Sequence, residues 1–115
     1  MSNTILNNTI RDVCTIDELT LYSQSNSPTL IVLCFKAIWC TPCKAIKPFI
    51  SYLQDNYPNV TFCEIDIEDD SRDTIVNNFS IKKVPTFVFY KNALLCKSII
   101  GTNKEHLEEA INEFL

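Results

Sequence analysis

Two cysteines with two residues between them, Cys40 and Cys43 in A-I-W-C-T-P-C-K, stand where an apolar run gives way to a helical pattern. Thiols at that spacing can close into a small disulfide ring once the backbone turns helical. At a helix entry, Cys40 lies beside unpaired backbone N–H groups and the positive end of the helix dipole. Its thiolate is stabilised there, and its pKa falls below the free value of ~8.5. Lys44 and Lys47 add to that field, and Pro42 suits a first helical turn because it has no N–H to leave unpaired. Cys43, one turn further in, is expected to face less solvent and keep the higher pKa. The asymmetry assigns roles: Cys40 attacks a disulfide and Cys43 resolves the mixed disulfide. The competing uses are a zinc half-site and an inert pair. Zinc wants four ligands, and the sequence has no second C-x-x-C and one histidine, His106, so no metal is expected.

The elements that must hold this pair can be read on either side of it. Leu30–Lys36 is a near-continuous apolar strand of the kind buried on both faces. After the pair, Ala45, Ile46, Phe49, Ile50 and Leu53 recur at helical spacing to about Asn56, with Pro48 kinking the helix. Upstream, Thr9–Val13 reads as a short edge strand. Thr15–Glu18 has the form of a capping box opening a helix that carries Ile16, Leu19 and Leu21 and ends near Ser25. Downstream come a strand at Val60–Ile67, a short helix at Asp73–Phe79 and a strand at Thr86–Tyr90. A turn at Lys91–Ala93 leads to a hairpin strand at Leu94–Ile100, broken by Gly101. A second capping box at Thr102–Glu105 opens a last helix with Leu107, Ala110, Ile111 and Phe114 on one face. The order β-α-β-α-β-α-β-β-α predicts an α/β fold, a central mixed sheet with helices on both faces.

Composition narrows the function classes. The 115 residues suit one domain, with a loose polar segment at 1–8 and a folded domain at 9–115. Apolar residues at 46% and charged residues at 21% exclude a disordered chain. A net charge of −4 argues against a nucleic-acid binder. The longest apolar run, Leu30–Phe35, is far below the ~18 residues that span a bilayer. The N-terminal M-S-N-T-I-L-N-N has neither a basic nor an apolar leader region, so a cytoplasmic address is expected, with packaging in a virion left open. In a reducing compartment Cys34, Cys63 and Cys96 read as buried thiols, and Cys14 as partly exposed.

W-C-T-P-C-K resembles the W-C-G-P-C-K active site of the thioredoxin family. Further matches support the likeness. I-K-P-F (46–49) is similar to the family's long helix, F-C-E-I-D-I-E-D-D (62–70) to its third strand in animal-type members, and V-P-T-F-V-F-Y-K (84–91) to the segment whose proline is cis. G-T-N-K-E-H-L-E-E-A-I-N-E (101–113) is similar to the last turn and helix. The resemblance implies a thioredoxin-like fold and a thiol–disulfide oxidoreductase that reduces protein disulfides through Cys40 and Cys43. It implies that Trp39 shields the disulfide, that Thr41 and Pro42 set the loop, and that Pro85 is cis. The Val84 backbone would pair with an extended substrate strand, and Gly101 would keep the neighbouring surface flat. Disulfide-containing proteins and an external reductase, such as a thioredoxin reductase, are the implied partners. No bound cofactor is expected, and a monomer is. A low-turnover binding or assembly subunit and a more oxidising oxidase or isomerase are the alternatives.

The sequence departs from the family at several positions. Cys34 stands six residues before Cys40, where the family carries a buried aspartate assigned to take the proton of the resolving thiol. A buried thiol is a poor base, so deprotonation of Cys43 is expected to be slower or to run through water and Glu64. A Cys34–Cys43 disulfide formed under oxidation is a second expectation. Thr41 replaces the usual glycine and stiffens the loop. Ser80, Lys83 and Ala93 also stand where glycine is common.

Overall fold

The computed structural model describes residues 14–115, so the segment at 1–8 and the strand expected at Thr9–Val13 lie outside the described residues. A four-stranded mixed sheet is built from β1 (Ile31–Lys36), β2 (Thr61–Asp66), β3 (Thr86–Lys91) and β4 (Leu94–Ile100). Its order is β2-β1-β3-β4, with β1 parallel to β2 and antiparallel to β3, and β3 antiparallel to β4. Five helices flank it: α1 (Ile16–Ser25), α2 (Thr41–Ala45), α3 (Lys47–Asn56), α4 (Asp73–Asn78) and α5 (Lys104–Phe114). No described helix is long and apolar enough to cross a membrane.

β1 is apolar throughout because both its faces are covered. Val32 and Cys34 pack with Ile50 and Leu53 of α3 and Leu107 and Ile111 of α5. Ile31, Leu33 and Phe35 point the other way, into a cluster with Leu19 of α1 and Ile75 of α4. Alternate strand residues thus serve two cores, as a sheet between two helical layers requires. At the other end of the chemistry, β1 delivers its C-terminal Lys36 directly to the turn before Cys40.

Local sequence signals account for most boundaries. The Thr15 hydroxyl accepts the Glu18 N–H at 3.1 Å while Glu18 Oε1 accepts the Thr15 N–H at 3.0 Å, completing the expected capping box. Asn92 and Ala93 form the two-residue hairpin loop with φ of 54° and 62°, the left-handed pair that a type I′ turn demands. α4 closes in a Schellman motif: Ser80, at φ 52°, donates its N–H to Asn77 O and Ile81 donates to Val76 O.

Four expectations are corrected. Leu21 is 66% exposed, because it lies roughly 140° around the helix from Ile16. Ser23 takes the buried face instead, and its hydroxyl accepts the Ala93 N–H at 2.8 Å. The single kinked helix after Cys43 is two helices meeting at Ile46, since Pro48 has no N–H to continue the ladder to Lys44. Ala45, two residues beyond buried Cys43, accordingly faces solvent. The last helix is capped by Asn103, whose side chain accepts the His106 N–H at 3.0 Å, so no box forms from Thr102 and Glu105. Cys96 is half-exposed rather than buried, because β4 is an edge strand with one side open.

Candidate active site

The site grows from the end of β1. Ala37 O accepts the Cys40 N–H at 3.1 Å, folding Ala37–Cys40 into a turn, and Cys40 then becomes the N-cap of α2 in extended geometry. An extended N-cap aims its side chain back at the free N–H groups of the first turn. Cys40 Sγ accordingly accepts the Cys43 N–H at 3.1 Å. Pro42 lies within that first turn, where its missing N–H costs nothing. The two cysteines are joined as a disulfide, with Cα atoms 5.3 Å apart.

Burial departs from the sequence reading. Cys40 is 3% exposed and Cys43 8%, so Cys43 is not the more hidden of the two. With the disulfide closed, the pair and Ala37 form one small apolar cluster, covered by Ile67 and Val84. Around it the surface is open. Trp39 is 62% exposed and Ile38 74%, which removes Trp39 from the core. The Trp39 Nε1–H donates to Glu68 Oε2 at 2.8 Å, fixing the ring against the loop after β2. Ile67 and Glu68 were not singled out from sequence. Their place directly after an acidic-ended strand is the only signal they give.

The Val84–Pro85 peptide is cis. Pro85 is buried, and its carbonyl accepts the Gly101 N–H at 2.9 Å, which ties the end of β4 to the segment beside the disulfide. Gly101 has φ of 101°, and a Cβ placed there would meet nothing within 4 Å. Its side-chain side is therefore open surface, and its backbone conformation is one that L side chains rarely adopt.

Beneath the disulfide runs a cleft of about 400 Å³. Cys34, Cys43, Lys44, Glu64 and Pro85 all line it, so the candidate tuning residues and the second cysteine share one space. Cys34 is buried, and that burial pushes its thiol far above the usual thiol range. Cys63, on the opposite core, is pushed up to about 11 by the same loss of solvent. Glu64 pairs with Lys36 at 3.0 Å.

A C-x-x-C closed as a disulfide at the mouth of a helix, sharing a cleft with a cis proline in a mixed α/β sandwich, defines a thiol–disulfide oxidoreductase acting on protein disulfides. The sequence pattern named Thioredoxin matches residues 17–113. Thioredoxin of Ophiophagus hannah is 48% identical over 86 residues, 75% of this chain and 80% of that protein. The X-ray structure of Fasciola hepatica thioredoxin superposes with a TM-score of 0.82 at 31% identity, covering 92% of this chain and 100% of that one. A thioredoxin f2, solved in a complex with ferredoxin:thioredoxin reductase, matches at a TM-score of 0.79 and 25% identity over 91% of this chain and 93% of the other. The chain belongs to the thioredoxin family.

Proposed function

We propose that the protein works as a disulfide reductant in which Cys40 is the nucleophile and Cys43 the resolving thiol. The carrying observation is the 3.1 Å bond from the Cys43 N–H to Cys40 Sγ. In the reduced protein the same donor, at the positive end of the helix, stabilises a Cys40 thiolate. That thiolate attacks a substrate disulfide, forming a Cys40–substrate mixed disulfide and expelling a substrate thiolate. Cys43 then loses its proton and attacks Cys40 Sγ. The Cys40–Cys43 bond forms and the second substrate thiolate leaves and is protonated. The substrate gains two electrons and the protein loses two.

Substrates dock on the exposed apolar surface of Ile38 and Trp39, and an extended segment pairs with the backbone at Val84 beside Pro85. Thr41 and Pro42 shape the rim, and Gly101 leaves the approach open. Lys44, one turn inside α2, adds positive charge. A separate reductase returns the electrons. The thioredoxin f2 complex with its reductase supports that arrangement for a relative of this fold. Four cysteines outside the active pair are unpaired among the described residues, which fits a reducing, cytoplasmic setting.

Insulin reduction driven by dithiothreitol tests this reading. Wild type is expected to accelerate precipitation of the freed chains, and Cys40→Ser to fall to the background rate. Cys43→Ser is expected to accumulate a mixed disulfide on Cys40, seen as an intact-mass increment. Equal, negligible rates in wild type and Cys40→Ser would refute it.

A further inference from the structure

Resolution requires that the Cys43 thiol lose a proton inside a mostly closed site. The cleft beneath it decides where that proton can go. Cys34 lines the cleft but is buried among Val32, Ile50 and Phe87, where its neutral form is favoured. From β1, then, comes a thiol that cannot serve as the base. From β2 come two carboxylates. The parallel register sets Glu64 beside Cys34 and Asp66 beside Lys36, and alternation along each strand puts all four side chains on the face that α2 and α3 cover. Lys44 and Lys47 line the cleft from the helix side, and Phe87 of β3 with Pro85 just before that strand adds only groups that do not titrate.

The two carboxylates are not equivalent. Asp66 Oδ1 accepts the Glu68 N–H at 2.9 Å, so Asp66 is committed to the turn after β2. Glu64 Oε1 accepts from Lys36 Nζ at 3.0 Å, which holds the side chain at the cleft. A carboxylate bonded at one oxygen keeps lone pairs for a further donor. The cleft, at about 400 Å³, has room for water molecules between polar groups.

We infer that Glu64, positioned by Lys36, accepts the Cys43 proton through water in the cleft. The inference rests on the exchange reading given above and deepens it. In the resolving step the Cys43 S–H bond breaks, its proton passes through water to the Glu64 carboxylate, and the thiolate attacks Cys40 Sγ. The Cys40–substrate bond breaks, and the departing substrate thiolate takes up a proton. Glu64 then releases its own proton to solvent from its exposed position. Lys36, Lys44 and Lys47 bring positive charge to the cleft in which the Cys43 thiolate forms.

The test uses reduced protein and one equivalent of the aromatic disulfide dithiobis-nitrobenzoate, in a Cys14→Ser, Cys96→Ser background. Attack by Cys40 releases a first coloured thiolate, and attack by Cys43 on the mixed disulfide releases a second. In Glu64→Gln the first phase should keep its rate and pH profile. The second should slow by about tenfold or more at neutral pH, with its midpoint moved upward, converging on wild type in base, the loss expected of a missing proton acceptor. Adding Cys34→Asp to Glu64→Gln should restore the second phase by placing a carboxylate in the same cleft. A second phase in Glu64→Gln that overlays the parent at every pH would overturn the inference. Failure of the parent itself to release the second thiolate would instead overturn the exchange reading on which it rests.

Discussion

Replacing Gly101 by alanine isolates a backbone effect at the edge of the site. A Cβ at this position meets no atom within 4 Å, so the substitution creates no clash. What it does create is strain, because φ is 101° and alanine is disfavoured there. Such conformations cost about 1–3 kcal/mol, offset by roughly 0.4–1 kcal/mol from the stiffer unfolded chain. The net loss is about 0.5–2 kcal/mol. An unfolding entropy near 2.1 cal/mol/K per residue over this length converts that to a Tm drop of about 2–8 °C. Differential scanning calorimetry of the oxidised protein measures it. Gly101→Ser should lose as much as Gly101→Ala, since neither side chain touches anything. Relaxation of φ would also draw the Gly101 N–H off the Pro85 carbonyl, now 2.9 Å away, so insulin turnover should fall below what the stability loss alone explains. An unchanged Tm, or a loss that grows with side-chain size, would refute the reasoning.

The converse substitutions relieve strain: Ala93→Gly and Ser80→Gly, at φ of 62° and 52°, should each raise Tm, Ala93→Gly by a few degrees, since alanine in the left-handed region costs about 1 kcal/mol. Urea titration with an unchanged m-value would verify that the native state is the source. Glu18 has its carboxyl held below the ordinary 4.5, chiefly by the Cys14 N–H and also by Thr15. A depressed folded pKa gives stability that is present above the unfolded value and lost as pH falls through the folded one. Glu18→Gln should therefore lower Tm at pH 7, with the difference from wild type shrinking in acid below that value. In the native reduced protein a maleimide should modify Cys14 and Cys96 readily, and Cys34 and Cys63 only after unfolding, because burial both hides those two thiols and keeps them protonated. Peptide mapping at neutral pH that finds Cys34 labelled as fast as Cys96 would contradict that order.

Periodicity and turn chemistry made much of this structure readable. The run at Leu30–Lys36 could only be a strand flanked on both sides, and the Thr15–Glu18 box was formed as written. The hairpin at Lys91–Ala93 was located, although nothing in an Asn-Ala pair advertises the positive φ that both residues adopt. The errors have local causes. Leu21 is apolar but sits on the wrong side of its helix, and Ser23, a polar residue, is buried because the Ala93 N–H needs an acceptor. Thr102–Glu105 fits a capping box as well as Thr15–Glu18 does, yet Asn103 is the better-placed cap. At the site, the cysteines were legible from motif and spacing, and Pro85 from the family resemblance. Lys36 was not, because its role depends on a neighbour, Glu64, that only the parallel pairing of β1 and β2 brings alongside. The reversed exposure of Cys40 and Cys43 depends on Ile67 and Val84, which arrive from distant parts of the chain.

Lys91 ends β3 at the pole of the sheet opposite the disulfide, and its ammonium donates to the carbonyls of Phe114 at 2.9 Å and Leu115 at 3.1 Å. The last turn of α5 carries no basic residue of its own, so this lysine supplies the positive charge that its carbonyl end lacks. The described chain is thereby pinned at its tail on the side facing away from incoming substrates. A fluorescent protein or affinity handle joined after Leu115 would leave from that far pole, and the reactive face would stay clear for traffic.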